Sequence, residues 1–173
     1  MTDERIAQAD LLRAIARLPR GSAVVVRHYS LALEERRALF DQVRRAAQRR
    51  GCLVLLAGDP ALAKRWGADG HHGRSRIRGM AGKRWLHSAP VHDHAELVAV
   101  VRNGADAVLI SPLFATRSHP GASALGPARF AALAHCSPLP VIALGGVHPR
   151  HARFVRMLGA VGFAAIDGLA PLP

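Results

Sequence analysis

Short apolar runs alternate with longer amphipathic stretches along the whole chain. The runs lie at Ala23–Val26, Leu53–Ala57, Ala107–Ile110, Val141–Leu144 and Phe163–Ile166. They are rich in Val, Ile, Leu and Ala and do not alternate with polar residues, as expected for strands buried on both faces of a parallel sheet. Arg84–Ala89 and the very short Gly70–His72 are weaker strand candidates. Between them the apolar spacing becomes helical over Ile6–Leu18, Leu33–Arg50, His92–Arg102, Pro127–Ala134 and Pro149–Leu158. Ser30 is the expected N-cap of the second of these, with Glu34 and Glu35 in its first turn and arginines towards its end, an order that suits the helix dipole. Asp59 before Pro60 predicts a further capped short helix.

Three joints echo one another: Gly67-Ala68-Asp69-Gly70, Gly104-Ala105-Asp106-Ala107 and Gly159-Ala160-Val161-Gly162. Each ends a helical stretch and opens a strand, with Gly supplying the positive φ that stops the helix. Repeated joints of this kind indicate βα units in series. Seven strand candidates fall one short of a (β/α)8 barrel. The alternative is a doubly wound open sheet, but its Gly-rich fingerprint is missing, because Val26 runs into Arg27-His28-Tyr29-Ser30.

Composition narrows the classes. The 173 residues suit one domain, 1–173, and with 50% hydrophobic and 21% charged residues the chain is not a disordered one. No apolar run approaches the roughly 18 residues of a membrane span. MTDERIAQAD has acids where a signal peptide needs basic residues. Two cysteines, Cys52 and Cys136, make no disulfide framework, so a cytoplasmic setting is expected. The net charge of +12 suggests polyanionic partners, either nucleic acid or phosphorylated small molecules. All but Lys64 and Lys83 of the basic residues are Arg, which reads as compositional bias, and no aromatic array accompanies them. Nucleic-acid binding is therefore disfavoured.

Candidate chemistry gathers where strands should end. Residues 111–126, SPLFATRSHPGASALG, form a long polar stretch after a strong strand. Within it Thr116, Arg117, Ser118 and His119 offer hydroxyls, a guanidinium and an imidazole suited to an anion. Gly145-Gly146 follow the Val141 run, where backbone free of side chains can aim N–H groups at an oxyanion. The helix expected from Pro149 would add its dipole. On this reading Gly146→Val would block the anion and leave the fold intact. His71-His72 and His92-Asp93-His94 hint at metal ligands, but their spacing fits no strong metal motif. His87, His92, His94 and His119 are candidates for acid–base work.

The stretch Gly104–Pro149 resembles thiamine phosphate synthase and its relative the thiazole tautomerase. The family pattern is GAD-strand-GP-[IV]-F-x-T-x-T-K, then a glycine, then P[IV]PVxAIGGI. The resemblance extends to Val24–Arg27, Gly67–His72 and Gly159–Asp167. It implies a (β/α)8 TIM barrel joining hydroxymethylpyrimidine diphosphate to a thiazole phosphate, with Mg2+ holding the departing diphosphate.

Carried over, Thr116 and Ser118 stand at the two threonines on the diphosphate side, and Arg117 lies between them. Gly145 and Gly146 match the glycines that bind the thiazole phosphate. Arg27 matches the family's second-strand Arg, His119 replaces the Lys, and Asp167 replaces a phosphate-binding Ser. Arg27 and His119 are the expected catalytic residues.

Other positions depart from the pattern. The family's Gln is Val25 and its second-strand Lys is Tyr29. The Asn-Asp pair that helps hold Mg2+ falls near Leu56 and Ala57, and the second Mg2+ Asp falls within Arg74–Ile77. No metal ligand is assigned. Arg74, Arg76, Arg78, Lys83 and Arg84, with no acid among residues 73–84, could supply positive charge instead. The tautomerase's signature His falls at Pro112.

Met1-Thr2-Asp3 resembles the end of the family's first strand. The expectation is a barrel lacking most of that strand, with unpaired edges that invite a homodimer. Three functions follow: a synthase-type transferase, a divergent or non-catalytic phosphate binder, and a tautomerase-like enzyme. The partner in each is a phosphorylated small molecule.

Overall fold

The computed structural model describes residues 1–75, 85–116 and 123–166. Two compact units are distinguished among the described residues, the first made of Met1–Ser75 with Trp85 and Leu86, the second running on from His87.

In the first unit, α1 (Gln8–Ala16), β1 (Ala23–Val26), α2 (Leu33–Arg49), β2 (Leu53–Ala57), α3 (Pro60–Arg65) and β3 (Gly70–His72) follow in order. The strands pair in parallel, β1 with β2 and β2 with β3. Their two faces divide cleanly. Val24, Val26, Val54 and Leu56 pack against Leu39, Phe40, Val43, Leu62 and Trp66 of the helices. Val25, Leu55 and Ala57 form a separate apolar cluster with Met1 and Leu86. Thr2 extends the unit, its N–H donating to the Val25 carbonyl at 2.9 Å.

In the second unit the order is β4 (Leu86–Val91, whose first residue belongs to the first unit), α4 (His94–Arg102), β5 (Ala107–Ile110), α5 (Gly126–Cys136), β6 (Val141–Ala143), a 3-10 turn (Pro149–His151), α6 (Ala152–Met157) and β7 (Gly162–Phe163). Neighbouring strands are again parallel and in sequence order. Val108, Ile110, Val141 and Ala143 are buried against Leu97, Val100, Phe130 and Val155. The last two strands are shorter than the apolar runs suggested.

The three joints behave alike, with φ of +71° at Gly67, +76° at Gly104 and +93° at Gly159. The Asp of the first two has a fixed task. Asp69 Oδ2 accepts the Val54 N–H at 2.8 Å, and Asp106 Oδ2 accepts the His87 N–H at 2.7 Å. Each carboxylate thus takes up a donor on the preceding strand. Val161 keeps only the backbone bond, to Val141 O at 2.9 Å. Asp59 caps α3 as expected, accepting the Ala61 N–H at 2.9 Å. Ser30 does not cap α2. The N-cap is Ala32, without a side-chain bond, and Ser30 instead donates its N–H and its hydroxyl to the Glu4 carboxylate.

Candidate functional site

In the second unit the strand-end segments after β5 and β6 are zipped together. Leu144 N–H donates to Ile110 O at 3.0 Å, Leu113 N–H to Leu144 O at 2.8 Å, and Phe114 N–H to Gly145 O at 3.1 Å. The Ser111–Pro112 peptide is cis. Both glycines are left-handed, Gly145 at φ +93° and Gly146 at φ +64°. A Cβ on Gly145 would lie 2.6 Å from Pro112 Cα, and one on Gly146 2.7 Å from the Ala115 oxygen and 2.8 Å from Phe114 Cβ. These positions need Gly for packing and for φ, irrespective of any ligand. The expectation that Gly146→Val spares the fold is therefore corrected. Among the described residues, no acceptor takes the N–H of Gly145, Gly146 or Val147. Three successive backbone N–H groups without an acceptor among the described residues are a donor set of the kind that an anion can take up.

The segment after this cradle is helical from Pro149, as the sequence suggested, but it is not one continuous α-helix. A 3-10 turn precedes α6, which holds six residues. His148 N–H donates to His151 Nδ1 at 3.2 Å. The His151 ring packs edge-on to Phe114, with centroids 5.1 Å apart. Burial, then Arg150 and His148, hold the His151 pKa below its ordinary value. Thr116 is half-buried, next to the Ala115 carbonyl at the cradle. Arg117, Ser118, His119 and Asp167 lie outside the described residues.

One arrangement went unread in the sequence. His92 sends both its backbone N–H and its Nδ1–H to Glu96 Oε2, at 2.8 and 2.9 Å. Its Nε2 then accepts from the Ser111 hydroxyl at 3.4 Å. The His-x-x-x-Glu spacing is the only signal the sequence carried, and pairing with Ser111 depends on the β4–β5 register. Glu96 also donates its own N–H to the capping Asp93 at 2.8 Å, which ties the group to the start of α4.

In the first unit, Arg27 is half-buried at the end of β1. Strand alternation puts it on the face of Val25, and the parallel register puts His72 beside Ala57 on that same face. Beneath this row, Arg36 donates Nε–H to Arg27 O at 2.8 Å and a second guanidinium N–H to Ala57 O at 2.7 Å. Its guanidinium lies over the Tyr29 and Trp66 rings, at 5.2 and 5.9 Å. His28 is buried at φ +41°, with Nδ1 2.9 Å from Thr2 Oγ1. Burial lowers its pKa, opposed by Glu4 and Asp3. His71 points to the other face, where Trp85 Nε1–H donates to its Nδ1 at 3.2 Å. That leaves its Nε2–H for the Ser75 carbonyl, also at 3.2 Å. Among the described residues no group of three or more potential metal ligands occurs, at His71-His72 and His92-His94 or elsewhere.

The sequence profile described as thiamine monophosphate synthase matches residues 1–169. The chain belongs to this family. It is 30% identical to a thiamine-phosphate synthase of Geobacillus thermodenitrificans over 148 residues, 81% of this chain and 66% of that one. It is 34% identical to the thiamine-phosphate synthase of Bordetella pertussis over 164 residues, 82% of this chain and 76% of that one. The chain thus spans about two thirds of the length of the Geobacillus relative. A solved thiamine phosphate pyrophosphorylase from Pyrococcus furiosus superposes with a TM-score of 0.78 at 21% identity, covering 96% of this chain and 83% of that one. The fold is accordingly a parallel α/β, TIM-barrel-like one. Among the described residues no helix is long and apolar enough to cross a membrane.

Among the described residues, those at the positions where the family holds magnesium do not fit the ion. Leu56 and Ala57 are fully buried hydrocarbon where carboxylate and amide oxygens are needed. The nearby acids are engaged elsewhere. Asp3 is paired with Arg5 at 2.7 Å, Glu4 is bonded by Ser30, and Asp59 caps α3.

Proposed function

We propose that the chain is a thiamine-phosphate-synthase-type transferase. It would join hydroxymethylpyrimidine diphosphate to a thiazole phosphate with release of diphosphate. The observation that carries this reading is the backbone cradle of Gly145, Gly146 and Val147, whose N–H groups have no acceptor among the described residues. The thiazole phosphate would sit there, with Thr116 and, from the adjoining segment, Arg117 and Ser118 contacting the diphosphate side. Arg27 would meet developing negative charge at the end of β1. His119, in place of the family's Lys, would act from the Thr116 segment. Asp167 would need a cation partner, since a carboxylate beside phosphate is repelled. The chain would act as a single domain on phosphorylated small molecules.

The loss of metal oxygens at Leu56 and Ala57 favours a second reading, a non-catalytic or divergent binder of the same phosphates. One assay separates the two. Purified protein is incubated with both substrates, and product is read as fluorescent thiochrome. Product above the no-enzyme control is expected. Its absence, with thiazole phosphate still binding, leaves the binder reading.

A further inference from the structure

We propose that this chain holds its diphosphate group without magnesium, with Arg27 as the counter-charge and His72 as a neighbouring imidazole N–H donor. The inference rests on the phosphate-ligand reading above and concerns the strand ends of the first unit. Three observations carry it. First, the two positions where metal oxygens would be needed are spent on packing. Leu56 is buried among the helices of that unit, while Ala57 on the opposite face offers only a methyl group. Second, the row that does face the strand ends is Arg27, Ala57 and His72, one residue from each strand. Arg36 locks the first two in place by bonding both of their carbonyls. Third, the described acids around the row hold other partners. Asp3 pairs with Arg5, the Glu4 carboxylate accepts from Ser30, and Asp59 caps α3, so Arg27 is the charged group of the row itself. Asp3 feels Arg27 as well as Arg5, and both lower its pKa.

Among the described residues a dication entering this row would meet two guanidiniums and no carboxylate on the row itself, so the diphosphate alone would have to offset its electrostatic cost. An oxyanion would meet the reverse. A guanidinium forms charge-assisted hydrogen bonds to phosphate oxygens through a fork that matches them, and an imidazole N–H adds a further donor. Small Ala57 between the two donors leaves room for the group that a metal and its oxygens would otherwise fill.

Calorimetric titration with inorganic pyrophosphate, in EDTA and separately in excess Mg2+, tests this. The expected result is binding in EDTA that excess Mg2+ strengthens by no more than about twofold. Arg27→Gln should weaken that binding at least about tenfold, and His72→Gln should weaken it too. Arg27→Lys, which keeps the charge and loses the fork, should fall between parent and Arg27→Gln. Arg45→Gln, which removes the same charge from the outer face of α2, should leave it unchanged. Melting curves confirm that each variant is folded. Binding that requires Mg2+ overturns the inference, as does no binding in either buffer, or binding indifferent to Arg27→Gln. None of these outcomes touches thiazole phosphate binding at Gly145–Val147, so failure here and failure of the function are separately visible.

Discussion

Replacing Gly146 with Ala should destabilise the protein well beyond the cost of backbone strain. The residue sits at φ +64°, a left-handed conformation that costs a side-chain-bearing residue about 1–2 kcal/mol. The new methyl would also lie 2.7 Å from the Ala115 oxygen and 2.8 Å from Phe114 Cβ, against about 3.5–4.0 Å for an ordinary carbon contact. Neither neighbour is the loose end of a long side chain. The segment that carries them is pinned by the Leu113–Leu144 and Phe114–Gly145 hydrogen bonds. Overpacking of this kind adds about 1–3 kcal/mol, for a total of roughly 2–5 kcal/mol. In a chain of this size that lowers the melting temperature by roughly 5–15 °C. Gly104→Ala is the control, because it sits at φ +76° with nothing within 4 Å and should cost only the strain of about 1–2 kcal/mol. Urea unfolding of both variants beside the parent gives the comparison. If Gly146→Ala is no more destabilising than Gly104→Ala, the tight approach of the two strand-end segments is wrong, and the cradle's shape with it.

Other expectations concern the rest of the frame. Asp106→Ala strands the His87 N–H, a buried donor now 2.7 Å from the carboxylate, and should cost about 1–3 kcal/mol by urea unfolding. Asp59→Ala removes the cap of α3 and should cost about 1 kcal/mol in the same assay. His28 titrates below its ordinary 6.5 because of burial. Its contribution to stability is therefore complete above that pH and is lost as pH falls through 6.5 towards the lower folded value. His28→Asn, which tolerates positive φ, should flatten that part of the stability–pH curve measured by denaturant unfolding. Unchanged curvature would contradict the burial of the ring.

What the sequence disclosed was local in origin. Buried parallel strands are written as short unbroken apolar runs, so β1, β2 and β5 fall on the residues the pattern marks, while β3 falls on the weaker candidate Gly70–His72. The Gly-Ala-Asp joints announced themselves because helix termination is a one-residue event. What stayed hidden depends on partners far along the chain. Nothing in Asp69 or Asp106 says that each carboxylate caps the preceding strand. Ser30 looks like a helix cap until Glu4 reaches it across 26 residues. The paired glycines suggested an open anion loop, whereas their first obligation is to the backbone of Pro112, Phe114 and Ala115. His92, Glu96 and Ser111 meet only through β4–β5 pairing. Of the candidate site, the backbone half could be located by sequence. The metal half could be doubted, because the side chains of Leu56 and Ala57 carry no oxygen to offer.

The most direct test of the proposed phosphate site is an amide NMR titration with thiazole phosphate. The account predicts that the Gly145, Gly146 and Val147 amide protons shift downfield together and saturate with one dissociation constant, as N–H groups with no acceptor among the described residues gain a charged one. Saturating shifts elsewhere in the chain with these three amides unmoved would place the phosphate at another site and contradict the account.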